Sequence, residues 1–245
     1  MGRLTDAVKH LLIINVIVFI ATQIYGDQMF AWFSLFYPEN PNFQWWQIVT
    51  HMFMHGSFFH ILFNMYALWA FGSPLEQMWG RNKFLFFYFS AGLGAALLHT
   101  GVNYFLFQDG LQALVDQGVD KNQIIQIISE GNYSPAWNEM IGADRVDRFL
   151  SAFSTPAVGA SGAIYGILVA FAFAFSEAEL MLIFLPIPIK AKYFVPLLIA
   201  GDLIFGFTGA ATGIAHFAHI GGAIAGFIMM WYWKKNEFEN NRWDR

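Results

Sequence analysis

The chain of 245 residues contains no cysteine. That absence excludes a disulfide framework, a zinc ribbon and a cysteine nucleophile, and covalent catalysis must use another side chain. Charge is scarce as well, at 12% of residues against roughly 25% in an ordinary soluble domain. So little charge argues against a soluble globular enzyme, and the 57% hydrophobic content excludes a disordered tail. The 13 Lys and Arg are spread thinly under a formal charge of -4, which leaves no basic face for a phosphate backbone and excludes nucleic acid as a partner. Internal repeats and low-complexity segments are also missing.

What is plentiful is apolar sequence, with aromatics at 19% of all residues, in runs longer than a soluble core helix needs. A bilayer span takes about 20 residues. Reading the runs between polar or turn-forming breaks gives six candidate helices, about 8–26, 57–73, 82–106, 159–177, 191–208 and 214–233. The expected fold class is an all-α polytopic membrane protein, one six-span domain over residues 1–245. Gly72-Ser73-Pro74 closes the second run, Gly80 to Lys83 opens the third, and Pro186, Pro188 and Lys190 separate the fourth from the fifth. Leu11 to Ile24 reads as a retained span, because Ala21-Thr22-Gln23-Ile24-Tyr25 offers no small-x-small signal cleavage site. A myristoylation site is not expected either, since Asp6 stands where Ser or Thr is needed.

Orientation follows from Lys and Arg, which accumulate in cytoplasmic loops. Arg3, Lys9, Arg81, Lys83, Lys190, Lys192, Lys234, Lys235, Arg242 and Arg245 fall on one side. The segment from Gly26 to Ser57 has none, and the one after the third span carries Lys121, Arg145 and Arg148 against seven acids. Both termini are therefore expected to be cytoplasmic; the expected location is a bacterial inner membrane. Trp45 and Trp46 on one side, and Trp231 and Trp233 on the other, are candidate interfacial anchors.

Two outer segments need cover. Asp27 to Trp46 is rich in aromatics and broken by Pro38 and Pro41, as suits chain lying in the interface. Residues 108–157 are too polar to span. Within them Val146, Phe149, Leu150 and Phe153 recur on one helical face, and Ile124, Ile125, Ile127 and Ile128 form a second amphipathic patch. Short helices capping the outer face are expected. Asn132-Tyr133-Ser134 is a formal glycosylation sequon weakened by Pro135.

Polar groups within apolar runs are costly, and three clusters stand out. His51, His55, His60 and Asn64 run from a turn into the second span. His60 and Asn64 lie one helical turn apart, placed either to donate toward a common point or to tie neighbouring helices together. Gly159-Ala160-Ser161-Gly162 opens the fourth span, and its small residues let another backbone approach. A nucleophile elbow is ruled out, because Ala163 replaces the last glycine of G-x-S-x-G and no strand precedes it. His216 and His219 open the sixth span, followed by Gly222 and Gly226 in G-x-x-x-G spacing. A helix pressed on that glycine stripe lies beside His219. If that helix is the fourth span, Ser161 and His219 meet as nucleophile and base.

His55-Gly56, His60 and Asn64 in the second span, G-x-S-G at Gly159 to Gly162 and A-H-x-x-G-x-x-x-G at Ala218 to Gly226 follow one another in that order. Together they resemble the rhomboid family of intramembrane serine proteases, over about residues 44–228. The resemblance implies that Ser161 is the nucleophile and His219 its general base, a dyad without a third acid. It implies an oxyanion hole from His60, Asn64 and the Ser161 amide at the Gly159 turn, with His55 supporting the loop above. Tyr165 falls where the family has an aromatic stacked on the catalytic imidazole. Glu76-x-x-x-Gly80 matches the family's loop between the second and third spans. Cofactors and metals are not implied, and the partners are transmembrane protein substrates and the bilayer. Substrates would enter sideways past the fifth span, with Phe194, Phe205 and Phe207 as candidate gate residues.

Three features depart from the pattern. Gln47 follows Trp46 where the family often has Arg, the outer segment of about fifty residues is longer than in compact bacterial members, and Asp202 lies in the fifth span without a family role. Asp202 reads as lining a wet cavity or bonding a neighbouring helix. Among rival classes, a di-iron His-box enzyme needs about eight ligands on one face, whereas this chain has seven His in all, with His10 and His99 in unrelated spans. It also lacks H-E-x-x-H. A silent adaptor binding transmembrane helices is disfavoured by the presence of both Ser161 and His219, and a transporter by the lack of repeats.

Overall fold

The computed structural model describes residues 3–182, 185–208 and 214–240. Helices dominate. Helix α1 covers Asp6–Tyr25 and a short α2 covers Asp27–Phe33. After a loop, α3 (Gln47–Thr50) and a single 3-10 turn (His51–Phe53) lead into α4 (Phe58–Ala67). A π-turn at Leu68–Gly72 joins α4 to α5 (Ser73–Trp79), and α6 runs over Arg81–Asp116. The outer segment folds as α7 (Lys121–Ser129), α8 (Ala136–Ile141) and α9 (Ala143–Ser154). Then come α10 (Ser161–Ala174), a two-stranded hairpin (Glu179–Leu182 with Leu185–Lys190), α11 (Ala191–Thr208) and α12 (His216–Asn240). Of these, α1, α6 and α11 are long and apolar enough to cross a membrane, while α10 is apolar over 14 residues. Arg242 and Arg245 lie outside the described residues.

Several boundaries differ from those expected, each for a physical reason. The second helix does not stop at Gly72-Ser73-Pro74 but continues to Trp79. Pro74 is tolerated there because the π-turn has already shifted the hydrogen-bond register in front of it. The third helix runs ten residues past the expected end at 106. Hydropathy marks where lipid ends, whereas helix-forming residues carry the helix onward, burying Phe107, Gly110, Leu111 and Leu114. The fourth helix starts later than 159, because Gly159 has φ of 123° and cannot be helical. The loop expected around Pro186 and Pro188 is a hairpin, pairing Glu179 with Lys190 and Leu180 with Ile189. Both strands are edges, so a proline can sit with its missing N–H turned outward.

The N-terminus of α1 is capped from a distance. Thr5 makes no side-chain cap; instead the buried Glu76 carboxylate accepts from Ala7 N (2.8 Å), Val8 N (3.0 Å) and the Thr5 hydroxyl. A carboxylate at a helix N-terminus satisfies orphan donors and complements the dipole. The Glu76 motif is thus a clasp between α1 and α5.

The centre of the molecule is a seam of small residues where α6, α10 and α12 meet. A Cβ on Gly222 would lie 1.8 Å from the Gly162 carbonyl oxygen, and one on Gly226 2.7 Å from the Gly166 Cα. Gly162 and Gly166 also face Ala95 and Ala91 of α6. Such backbone contact is how apolar helices gain dispersion energy in lipid, where no hydrophobic drive separates them from solvent. By contrast α11 is loosely held. It buries Ala191, Val195 and Asp202, and an apolar groove of about 440 Å³ separates it from α10 and α12.

Beyond residue 106, Phe107, Ile124, Ile128, Trp137, Val146, Phe149 and Phe153 form a second core that joins α6 to α7, α8 and α9. The loop after α2 docks onto this cap through Tyr37, an Asn40 Nδ2 bond to the Phe153 carbonyl (2.9 Å) and a backbone bridge between Leu35 and Ala157. Gln47 is the fastener of that loop. Fully buried, its amide nitrogen donates to the carbonyls of Asn42 (2.9 Å), Ala31 (3.0 Å) and Trp32 (3.4 Å). Glutamine in place of a charged residue therefore holds loop backbone directly.

Candidate active site

Ser161 is the first residue of α10, and this follows from the chain before it. Gly159 turns with positive φ, and its N–H donates to the His51 carbonyl at 2.9 Å. That bond fixes the approach to the helix. A Cβ at position 159 would stand 2.8 Å from His60 Nε2. Glycine is therefore needed twice, for the turn and for room beside the imidazole. The amides of the first helical turn, beginning at Ser161, have no acceptor within the helix and form a ready anion site.

His219 lies in the first turn of α12, one turn before Gly222. The Gly222 contact with Gly162 draws the two helix starts together, and His219 Nε2 stands 2.9 Å from Ser161 Oγ. Tyr165, one turn along α10, stacks on the His219 ring with centroids 4.2 Å apart and planes at 13°. That sandwich limits ring rotation. The arrangement is chemically competent for proton transfer from a hydroxyl to an imidazole, which needs a heavy-atom separation of about 2.6–3.2 Å.

His60 stands on α4 facing this point, with Asn64 one turn further along the same helix. The His60 ring lies against Gly159, while Asn64 commits one N–H to the His60 carbonyl at 2.8 Å. His55 is fully buried and meets His60 edge-on, with centroids 4.9 Å apart and its Nδ1 3.3 Å from the Phe53 carbonyl. The structure thus gathers Ser161, His219, Tyr165, Gly159 and His60, with Asn64 and His55 behind His60. The gate candidates separate: Phe194 packs against the main core, Phe205 stacks on His216 (5.7 Å), and Phe207 is 76% exposed.

Asp202 belongs to the same cluster, which sequence reasoning did not foresee. Its Oδ1 lies 3.1 Å from His219 Nδ1 and 2.5 Å from His216 Nδ1, and the Tyr165 hydroxyl is within hydrogen-bonding reach. The carboxylate is 6% exposed. Of the two readings offered for it, bonding to a neighbouring helix is the one seen. The available signal was the cost of a lone acid in an apolar run; which helix it faces is a property of the packing alone.

Comparison with known proteins identifies the family. The Rhomboid domain family model matches residues 42–108 and 138–236, leaving out the interval that holds the end of α6 and α7. Rhomboid protease AarA of Providencia stuartii is 27% identical over 187 residues, which cover 76% of this chain and 54% of that protein. The chain spans about half the length of that curated relative.

Proposed function

Since the chain belongs to the rhomboid family, we propose that it is an intramembrane serine endopeptidase that cleaves transmembrane or juxtamembrane segments of membrane proteins with Ser161 and His219. The observation that carries this reading is the 2.9 Å contact between His219 Nε2 and Ser161 Oγ beneath the stacked Tyr165 ring. The reading takes six spans in one domain, α1, α4 with α5, α6, α10, α11 and α12, with both termini cytoplasmic in a bacterial inner membrane and the α7–α9 cap outside.

In the reaction Ser161 Oγ attacks the scissile carbonyl carbon while its proton passes to His219 Nε2. The carbonyl oxygen becomes an oxyanion held by the free amide of Ser161, by His60 and by the remaining N–H of Asn64. His55, packed against His60, keeps that ring in place, and Gly159 leaves the space. His219 then gives the proton to the leaving amine as the C–N bond breaks. Water repeats the sequence on the acyl ester, returning Ser161 and a carboxylate product. A substrate helix hides its carbonyls in its own hydrogen bonds, so it must unwind locally, and Gly or Pro near the bond favours cleavage.

The test uses purified wild type and Ser161→Ala in detergent, with a fluorescent fluorophosphonate and a generic transmembrane substrate. Labelling and cleavage by the wild type that both vanish in Ser161→Ala are expected. Equal signals from the two proteins would refute Ser161 as nucleophile.

A further inference from the structure

We propose that Asp202 is a positioning residue for His219, so that the site works as a serine, an imidazole and a carboxylate rather than as a dyad; the inference rests on the reading of Ser161 and His219 above. A neutral imidazole carries one proton, and general-base action at Nε2 requires that it sit on Nδ1. Ser161 alone does not set this, because a hydroxyl accepts as readily as it donates. Asp202 does. An ionised carboxylate only accepts, so Oδ1 at 3.1 Å from Nδ1 holds the proton there and leaves the Nε2 lone pair on Ser161 Oγ. When Nε2 takes the serine proton, the imidazolium forms beside a fixed negative charge on a largely buried carboxylate.

The rest of the cluster fits that task. Tyr165 contacts His219 by its ring face and Asp202 by its hydroxyl, tying acid and base to α10. His216 Nδ1 donates to the same Asp202 oxygen at 2.5 Å and fixes the carboxylate from its far side. Asp202 is also the one residue that the outer half of α11 buries. An uncompensated carboxylate at membrane depth costs several kcal/mol, and here two imidazoles compensate it. The three residues also form a metal-type ligand set, but the distances disfavour that use. Ligand atoms about 2.0 Å from a tetrahedral zinc stand about 3.3 Å apart, whereas 2.5 Å between His216 and Asp202 is a hydrogen bond.

The experiment measures kcat, KM, fluorophosphonate labelling rate and thermal unfolding midpoint on the full chain in detergent. The proteins are wild type, Ser161→Ala, Asp202→Asn and Asp202→Glu. Asp202→Asn should lower kcat and the labelling rate by about 10²-fold or more, with KM within about threefold and the midpoint unmoved. An amide can donate to Nδ1 and so favours the wrong tautomer. Asp202→Glu, which keeps the carboxylate, should recover at least tenfold of that loss. Overturning results are an Asp202→Asn kcat within threefold of wild type, or a loss that tracks the unfolding midpoint and is the same for Glu. Either result, with wild-type cleavage still abolished by Ser161→Ala, overturns the role of Asp202 alone. Cleavage that survives Ser161→Ala overturns the reading beneath it.

Discussion

The closest helix approach at a glycine among the described residues gives the sharpest test. Replacing Gly222 with Ala adds one methyl, whose carbon would lie 1.8 Å from the Gly162 carbonyl oxygen and 2.7 Å from its carbonyl carbon. Both are backbone atoms, which cannot swing away, so α12 must retreat from α10 by about 1.6 Å to reach ordinary contact. His219 sits one turn away on the retreating helix, and Ser161 is the residue next to Gly162. A 2.9 Å hydrogen bond stretched by even 1 Å is no longer one. A displacement of about 1 Å at reacting groups costs on the order of 10²-fold in rate, and overpacking costs about 1–3 kcal/mol in stability. Gly222→Ala should therefore lose at least 10²-fold in cleavage rate and show a lower unfolding midpoint in detergent. The control is Gly101→Ala on α6, where a Cβ meets no atom within 4 Å. It should match or exceed the wild-type midpoint, since alanine is the better helix former by about 1 kcal/mol. Wild-type rate and midpoint in Gly222→Ala would refute the claim that backbone contact between α10 and α12 sets the serine–histidine distance.

Other outcomes follow from features away from the seam. Glu76→Ala removes a buried carboxylate that holds two amides and a hydroxyl at the start of α1. It should destabilise by about 2–3 kcal/mol, read as the unfolding midpoint, with Glu76→Gln intermediate. Phe149→Ala opens a hole between Phe107 and Trp137 in the cap. At about 3–5 kcal/mol for a buried Phe, proteolysis should cut the α7–α9 segment while α10 and α12 stay protected. At the hairpin, the Lys190 and Lys192 ammonium groups hold the Glu177 carboxyl down at about 2. A depressed folded-state value means that the contribution is complete above the ordinary carboxylate range and lost as pH falls toward 2. Protection of the hairpin amides, read as exchange relative to the intrinsic rate at each pH, should therefore fall between about pH 4 and pH 2 in wild type, and Glu177→Gln should show no such step.

How much of this was legible in the sequence depended on what kind of force acts at each place. The fifth helix, expected at 191–208, is found at Ala191–Thr208, beginning directly after the hairpin strand that ends at Lys190. The face through Val146, Phe149 and Phe153 was visible as a helical period, and it is the buried face of α9. G-x-x-x-G spacing announced a close helix contact, and the partner it finds is the Gly162–Gly166 stripe. Long-range polar contacts carry no such period. Gln47 reaches three carbonyls 5 to 16 residues away, and Glu76 caps a helix 68 to 71 residues earlier. Asp202 meets His216 and His219 across an interhelical connection, so its partners follow from helix azimuths rather than from spacing.

The long α6 rod ties these places together mechanically. Its 36 residues measure about 54 Å, against a hydrocarbon thickness of about 30 Å. With the apolar span ending near residue 106, the ten further residues extend about 15 Å as an arm, and the cap is bolted to that arm through Phe107, Leu111 and Leu114. Lower down, Ala91, Gly94 and Ala95 of the same rod are the bearing on which α10 and α12 seat. Cap and reaction centre are thus two ends of one lever. A tilt of about 10° would sweep the arm's tip by about 3 Å, and the bearing, with glycine backbone seated on backbone and alanine methyls, has no flexible side chain in which to absorb the torque.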